Sequence, residues 1–226
     1  MITVQQSTFN FLKDIEKNNN REWFTDNKPA YVAEQKKLLS FYTALEEKLN
    51  EHDTIEKLKM FRIYRDVRFS KNKTPYKTNM SGHFIRATNR LRGGYYLEIR
   101  PGASFVAGGF WGPNKEDLLR IRKEFELDGF EIREVLADKI FKENFGELRG
   151  DGVKTAPRGF EKEHENIDLI RKKQFILVRN FTDKEVLSVG FMDEVNASFI
   201  AMRPFLNLMS SILTTDLNGE SLFDSE

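Results

Sequence analysis

The chain has no cysteine among its 226 residues. That excludes disulfides, thiolate nucleophiles and Cys-ligated zinc or iron–sulfur sites, and it fits a reducing cytoplasm. Histidine is nearly as scarce: His52, His83 and His164 stand far apart, with no HExxH and no paired-His spacing. No metal site is expected from them, and a Ser-His-Asp assembly has no support in the sequence. GxGxxG and Walker A loops are also missing, so a cofactor, if there is one, is left unassigned. No stretch approaches the roughly 20 apolar residues that span a bilayer. The opening MITVQQSTFNFLKDIEKNNN has neither a basic start nor a long apolar run, so no signal peptide is expected. The expectation is a soluble cytoplasmic protein with no membrane partner.

What is present is enough for one substantial core. Hydrophobic residues make up 39% and charged residues 31%, and 20 Phe make that core aromatic. The first fifty residues read as helical. Ser7 or Thr8 can cap a short helix carrying Phe11, Leu12 and Ile15, which breaks at Asn18-Asn19-Asn20. Pro29 suits the first turn of a longer helix, along which Tyr31, Leu38, Tyr42, Leu45 and Leu49 form one stripe with Gln35 as a polar intruder.

Near Met60 the pattern changes. Phe61, Ile63, Val67 and Phe69 alternate with Arg62, Tyr64, Asp66 and Arg68, which predicts a strand with Arg65 on its apolar side. Residues 70–80 read as a loop, and strands follow at about 81–87, 94–100 and 103–110. Pro101-Gly102 joins the last two in a tight turn. Asn114 can cap a helix through Phe125, and a second amphipathic helix carries Ile132 to Ile140. Residues 149–160 read as a loop; acids at 161–165 before bases at 171–173 suit a helix dipole. Phe175 to Val178 reads as a strand. In the final helical region Pro204 must kink the helix or begin a new one. The expected fold is α+β: a mostly antiparallel sheet flanked by helices in a single domain, 1–226. Its helical N-terminal part covers about 5–50, the sheet about 59–112, and helices with one or more further strands about 114–213.

Charge is unevenly placed. Arg62 to Arg92 holds nine Lys/Arg against Asp66 alone, a net +8, while the whole chain is +1, so the remainder sums to −7. Such asymmetry points to an anionic partner or to local ion pairs. On a strand, Arg62, Asp66 and Arg68 share a face with alternate residues about 6.5–7 Å apart, so Asp66 can orient either arginine. Arg65 needs an acid such as Glu98, carbonyls or a bound anion, because a buried unpaired guanidinium is costly. Lys71, Lys73, Tyr76 and Lys77 follow on a loop that Pro75 stiffens, where they could bind phosphate or carboxylate or simply be solvated. Gly108-Gly109 marks a bulge or a close backbone approach, and the neighbouring Trp111 could floor a pocket or pack in the core. Lys154 and Arg158 in the late loop could close over an anion or be ordinary surface. Arg100 is a further candidate cation.

The strings NNNREWF (18–24), RIYRDVRFSKNKTPYKT (62–78), YYLEIRPG (95–102), GGFWGP (108–113) and PRGF (157–160) resemble a conserved hypothetical family of bacteria and fungi, the domain of unknown function 2461. The resemblance runs from Phe9 to about Phe205. It implies that Arg62, Arg65, Asp66, Arg68, Lys73, Tyr76 and Lys77 form the family's signature, and it brings no established activity with it. The family's pattern usually has Asp where this chain has Asn72, so a carboxylate role does not carry over there.

Three functions follow as expectations. The first is binding of an anionic small molecule, phosphate- or carboxylate-bearing, by Arg62, Arg65, Arg68, Lys73, Lys77, Arg100 and Arg158. In an enzyme version, Tyr76 or Asp66 would handle protons and the cations would stabilise an anionic transition state. The second is a nucleic-acid-binding module whose tyrosines and Phe69 stack bases while basic residues track phosphates. The third is a protein-interaction or structural domain with its arginines paired internally.

Overall fold

The computed structural model describes residues 2–223. Among them α1 (Gln6–Lys17) buries Phe9, Phe11, Leu12 and Ile15, one apolar face at three-and-four spacing. Ser7 and Thr8 do not cap it. They donate instead to Glu34 Oε2, at 3.1 and 2.8 Å. The helix ends at the three asparagines, which do three different jobs. Asn18 Nδ2 donates to the Asp14 carbonyl, and Asn20 Oδ1 accepts from the Trp23 N–H at 2.9 Å, capping α2 (Arg21–Asp26). Asn19 reaches across to Tyr76.

α3 (Lys28–Leu49) carries Pro29 in its first turn and buries Tyr31, Leu38, Phe41, Tyr42, Leu45 and Leu49, the expected stripe with Phe41 added. Its buried polar residue is Glu34, held by Ser7, Thr8 and Lys37.

Five strands form one antiparallel sheet in the order β1 (Ile55–Met60), β2 (Met80–Arg86), β3 (Gly94–Ile99), β4 (Ser104–Phe110), β5 (Phe175–Phe181). The first four are consecutive in the chain, a meander. Pro101 and Gly102 turn β3 into β4, with Gly102 at φ +73° and the Ala103 N–H returning to the Arg100 carbonyl.

The strand expected over Arg62–Arg68 does not form. Regular pairing ends at Met60, and residues 61–65 run on opposite 75–81 through separate bonds. The Phe61 N–H meets the Ser81 carbonyl, the Lys77 N–H the Ile63 carbonyl and the Arg65 N–H the Pro75 carbonyl. Tyr64 and Tyr76 make an isolated bridge. From 61 to 63 the outgoing arm spends two residues; from 77 to 81 the return arm spends four, a bulge that breaks the register. Further out, Pro75 has no N–H to return to Arg65, so the ladder cannot continue. The alternation of 61–69 reflects extended backbone rather than a sheet face: Ile63 is buried, but Phe69 is 97% exposed.

Downstream, Asn114 Oδ1 caps α4 (Lys115–Leu127) through the Asp117 N–H, and α5 (Phe130–Ala137) and α6 (Lys139–Phe145) follow. The helix foreseen across 161–173 is reduced to α7 (Ile167–Ile170). The chain beyond Arg171 is drawn into pairing with 149–153, where Val153 bonds the Arg171 carbonyl and Lys173 the Asp151 carbonyl. α8 (Asp183–Val186) has a Thr182/Glu185 capping box. In α9 (Phe191–Thr214) Pro204 begins no new helix.

Two compact units can be distinguished. The first takes the chain up to Ile85 with Tyr96–Val106 and Asn180–Ala197. In it α1, α2 and β1 pack on α3. The Tyr42 hydroxyl, fully buried, donates to the Leu97 carbonyl at 2.9 Å, and its ring stacks 6.0 Å from Phe84. The second takes Arg86–Tyr95, Ala107–Arg179 and the chain from Ser198. There Arg86, 2% exposed, donates to Asn207 Oδ1 at 2.6 Å, to Ser210 Oγ and to the Arg92 carbonyl. In the same unit Gly109, at φ +117°, lies so close to β5 that a Cβ there would sit 2.1 Å from the Phe175 carbonyl oxygen. The glycine pair thus marks a close backbone approach.

Candidate functional site

Side chains alternate across the sheet. In the first unit Gly82 and Phe84 face Tyr42, while Ser81, Tyr96 and Glu98 project from the opposite face. On that face lies a cleft of about 440 Å³. The floor is Ser81, Tyr96 and Glu98. The irregular hairpin supplies Phe61, Arg65 and Asp66 from its outgoing arm, and Lys77 and Asn79 from its return arm. The bulge between 77 and 81 is what separates the two arms' registers beside these residues.

Two cations and two acids line the cleft, and the acids are not used to neutralise the cations. Arg65 donates to the carbonyl and hydroxyl of Thr74, with the carbonyl at 3.0 Å, and lies 3.5 Å from Ser70 Oγ. Lys77 Nζ lies over the Phe61 ring, 5.3 Å from its centroid. Among the described residues no carboxylate comes within 4.0 Å of either cation. Burial pulls the Lys77 ammonium below its usual pKa; Glu98 works against this, and nearby Arg62 adds to it.

Glu98 is 9% exposed and accepts from the Tyr96 hydroxyl at 2.7 Å. Burial is the main cause that pushes the Tyr96 phenol far above its usual range. The Ser81 hydroxyl opposes it, and the bond to Glu98 with its charge reinforces it. Tyr96 is therefore a fixed donor at any physiological pH.

The candidate residues fall into three groups. Arg65, Asp66 and Lys77 line the cleft, with Arg62 exposed and close enough to act on Lys77 and Asp66. Arg68, Lys73 and Tyr76 are used to build the hairpin. Arg68 makes a bidentate exposed ion pair with Asp66, 2.7 Å at its shortest, and the Arg68 hydrogen bonds hold the Asp66 carboxyl below its usual pKa. Lys73 Nζ donates to the Val67 carbonyl at 2.9 Å and the Arg68 carbonyl at 3.4 Å. Tyr76 is buried against Phe24, ring centroids 4.0 Å apart, and burial raises its pKa. Asn72 Oδ1 accepts from the backbone and hydroxyl of Thr74, a turn that a carboxylate would support equally. Arg100, Trp111 and Arg158 are exposed and do not line the cleft. Arg100 closes the β3–β4 turn, while Trp111 and Arg158 belong to the second unit.

Glu98 entered the sequence reading only as a possible partner of Arg65; the two share the cleft without pairing. Ser81, Asn79 and Tyr96 were not singled out as a set. The available signal was an acid at an otherwise apolar position of a strand, YYLEI, which a buried carboxylate produces.

Among the described residues no group of three or more His, Asp or Glu could hold a metal ion, and no helix is long and apolar enough to cross a membrane. Comparison with curated proteins and with solved structures gave no match. Comparison with protein families matched residues 7–207 to the conserved hypothetical proteins of DUF2461, and the chain belongs to that family.

Proposed function

We propose that the protein binds an anionic small molecule, phosphate- or carboxylate-bearing, in the cleft between the hairpin arms and β3. One observation carries the reading: Arg65 and Lys77 line a cleft of ligand size with no carboxylate within 4.0 Å of either among the described residues. A half-buried ammonium whose pKa is depressed gains from an incoming anion, which supplies the charge its surroundings lack. Arg65 has its position fixed by Thr74, so little side-chain freedom is lost on binding. If the site is catalytic, these two cations are the groups that would stabilise developing negative charge.

The test is a thermal-shift screen of phosphates, polyphosphates and dicarboxylates on the intact chain. A ligand at 100 times its dissociation constant adds about 2.7 kcal/mol. Lys77→Met keeps the alkyl stem over Phe61 and should abolish the shift. An unchanged shift in that variant would place the anion elsewhere.

A nucleic-acid reading has one observation of its own. Phe69 is 97% exposed at the hairpin tip, between Arg68 and the exposed Lys71 and Lys73. Stacking on such a ring with flanking cations is how single strands are held. Binding of single-stranded RNA or DNA that weakens steeply with salt and disappears in Phe69→Ala would favour it.

A further inference from the structure

We propose that the ligand of the cleft is a phosphorylated sugar. The inference rests on the anion reading above and adds what the remainder of the cleft recognises. Glu98 is 9% exposed, and only its Oε2 is engaged, by Tyr96. Its second oxygen has no hydrogen-bond partner among the described residues, and the residue lines the cleft. A carboxylate set this deep is costly unless its lone pairs are met. The Asn79 side chain, bordering the same space, likewise has no partner among the described residues.

An inorganic anion meets only half of these groups. It would pair with Arg65 and Lys77 and would then oppose the Glu98 charge across a small cleft. A volume of about 440 Å³ also far exceeds what one phosphate fills. Neutral hydroxyls resolve the conflict: they donate to the carboxylate without adding charge, and they exchange hydrogen bonds with an amide that both donates and accepts. The Phe61 ring, 6.1 Å from the ring of Tyr96 and beneath the Lys77 ammonium, adds aromatic edges to a cleft that is otherwise polar. Phosphate on Arg65 and Lys77, with hydroxyls on Glu98 and Asn79, meets both cations and both side chains that lack partners among the described residues.

Isothermal titration of the full chain with glucose 6-phosphate, ribose 5-phosphate, inorganic phosphate, glucose and phosphoethanolamine tests this. At least one sugar phosphate should bind about tenfold or more tighter than both inorganic phosphate and glucose, the discrimination expected of buried polar groups left unmet. Glu98→Gln and Asn79→Ala should each remove that advantage while inorganic phosphate still binds. Should Glu98→Gln fail to fold, Asn79→Ala carries the comparison alone. Inorganic phosphate binding as tightly as both sugar phosphates would overturn the sugar assignment and leave the anion reading standing, as would tighter binding of phosphoethanolamine. Glucose binding as tightly as glucose 6-phosphate would instead remove the anion from both readings. Binding by none of the five compounds would overturn the sugar assignment, and the thermal-shift screen would then decide the anion reading separately.

Discussion

The Tyr96 hydroxyl donates to Glu98 at 2.7 Å from an alternate position on the same strand, so both side chains stand on the face that forms the cleft floor. The bond orients the carboxylate and leaves Oε1 for a ligand. It also removes Tyr96 from the list of proton acceptors, because its phenol is held protonated far above the usual range.

Tyr96→Phe should therefore weaken the fold by about 1.5–3 kcal/mol, the usual worth of a hydrogen bond to a charged acceptor, seen as a lower urea midpoint with an unchanged slope. Ligand affinity should fall as well, since Glu98 loses the one hydrogen bond that orients it among the described residues. Equal midpoints for the two proteins would mean that the bond contributes nothing.

Binding should depend on pH through Lys77. In the free protein burial holds its pKa below the usual lysine value, and a bound anion raises it. The bound state thus takes up protons, so affinity is full below the free pKa and is lost as pH rises from there through the raised pKa of the bound state. Calorimetry across alkaline pH in buffers of different ionisation enthalpy should show proton uptake on binding. Lys77→Met should abolish both the uptake and the alkaline loss.

Gly109→Ala should be severely destabilising, by about 3 kcal/mol or more, because two penalties combine. The backbone at φ +117° disfavours any side chain, and the new Cβ would lie 2.1 Å from the Phe175 carbonyl oxygen, a backbone atom that cannot move aside alone. Melting temperature and soluble yield are the readouts. Gly102→Ala, whose Cβ would meet nothing within 4 Å, is the control for the backbone penalty by itself.

Lys73→Ala should loosen the hairpin tip and leave global stability nearly unchanged. The ammonium holds the Val67 and Arg68 carbonyls from an exposed position, so only local order depends on it. Chymotrypsin should cut after Phe69 several-fold faster in the variant, while urea unfolding is superimposable with the parent. A cleavage rate equal to the parent's would show that the tip is held without Lys73, by the Arg65, Asp66–Arg68 and Asn72–Thr74 contacts.

Much of the fold was legible because its signals are local. The α3 stripe, the strands near 80–86, 94–99 and 104–110, the Pro101-Gly102 turn and the Asn114 cap all depend on residues adjacent in sequence. The strand at 55–60 was missed because an edge strand with Glu56, Lys57 and Lys59 shows little apolar alternation. The opposite error at 62–68 has a physical root: period two reports an extended chain, and whether a partner completes a ladder depends on a bulge and a proline ten residues away. The site divides along the same line. Arg65, Asp66 and Lys77 stood out by composition. Glu98, Asn79 and Ser81 gain meaning only through the folding of β2 and β3 beside the hairpin, which no spacing within one segment encodes. Arg68 and Lys73 were conspicuous for charge, yet one is spent on Asp66 and the other on backbone carbonyls.

Asn19 closes one edge of the hairpin. Tyr64 and Tyr76 form a non-hydrogen-bonded pair, so the N–H and C=O of Tyr76 point away from the neighbouring arm. The Asn19 amide takes both, accepting from the N–H and donating to the carbonyl at 3.0 Å each, as the backbone of another strand would. A hairpin arm with those groups bare would be a template for strand addition by a second molecule. The side chain of one asparagine, set between two helices, terminates that edge. Tyr76 therefore offers no bare backbone group for another strand to pair with, whatever part the hairpin plays in holding a ligand.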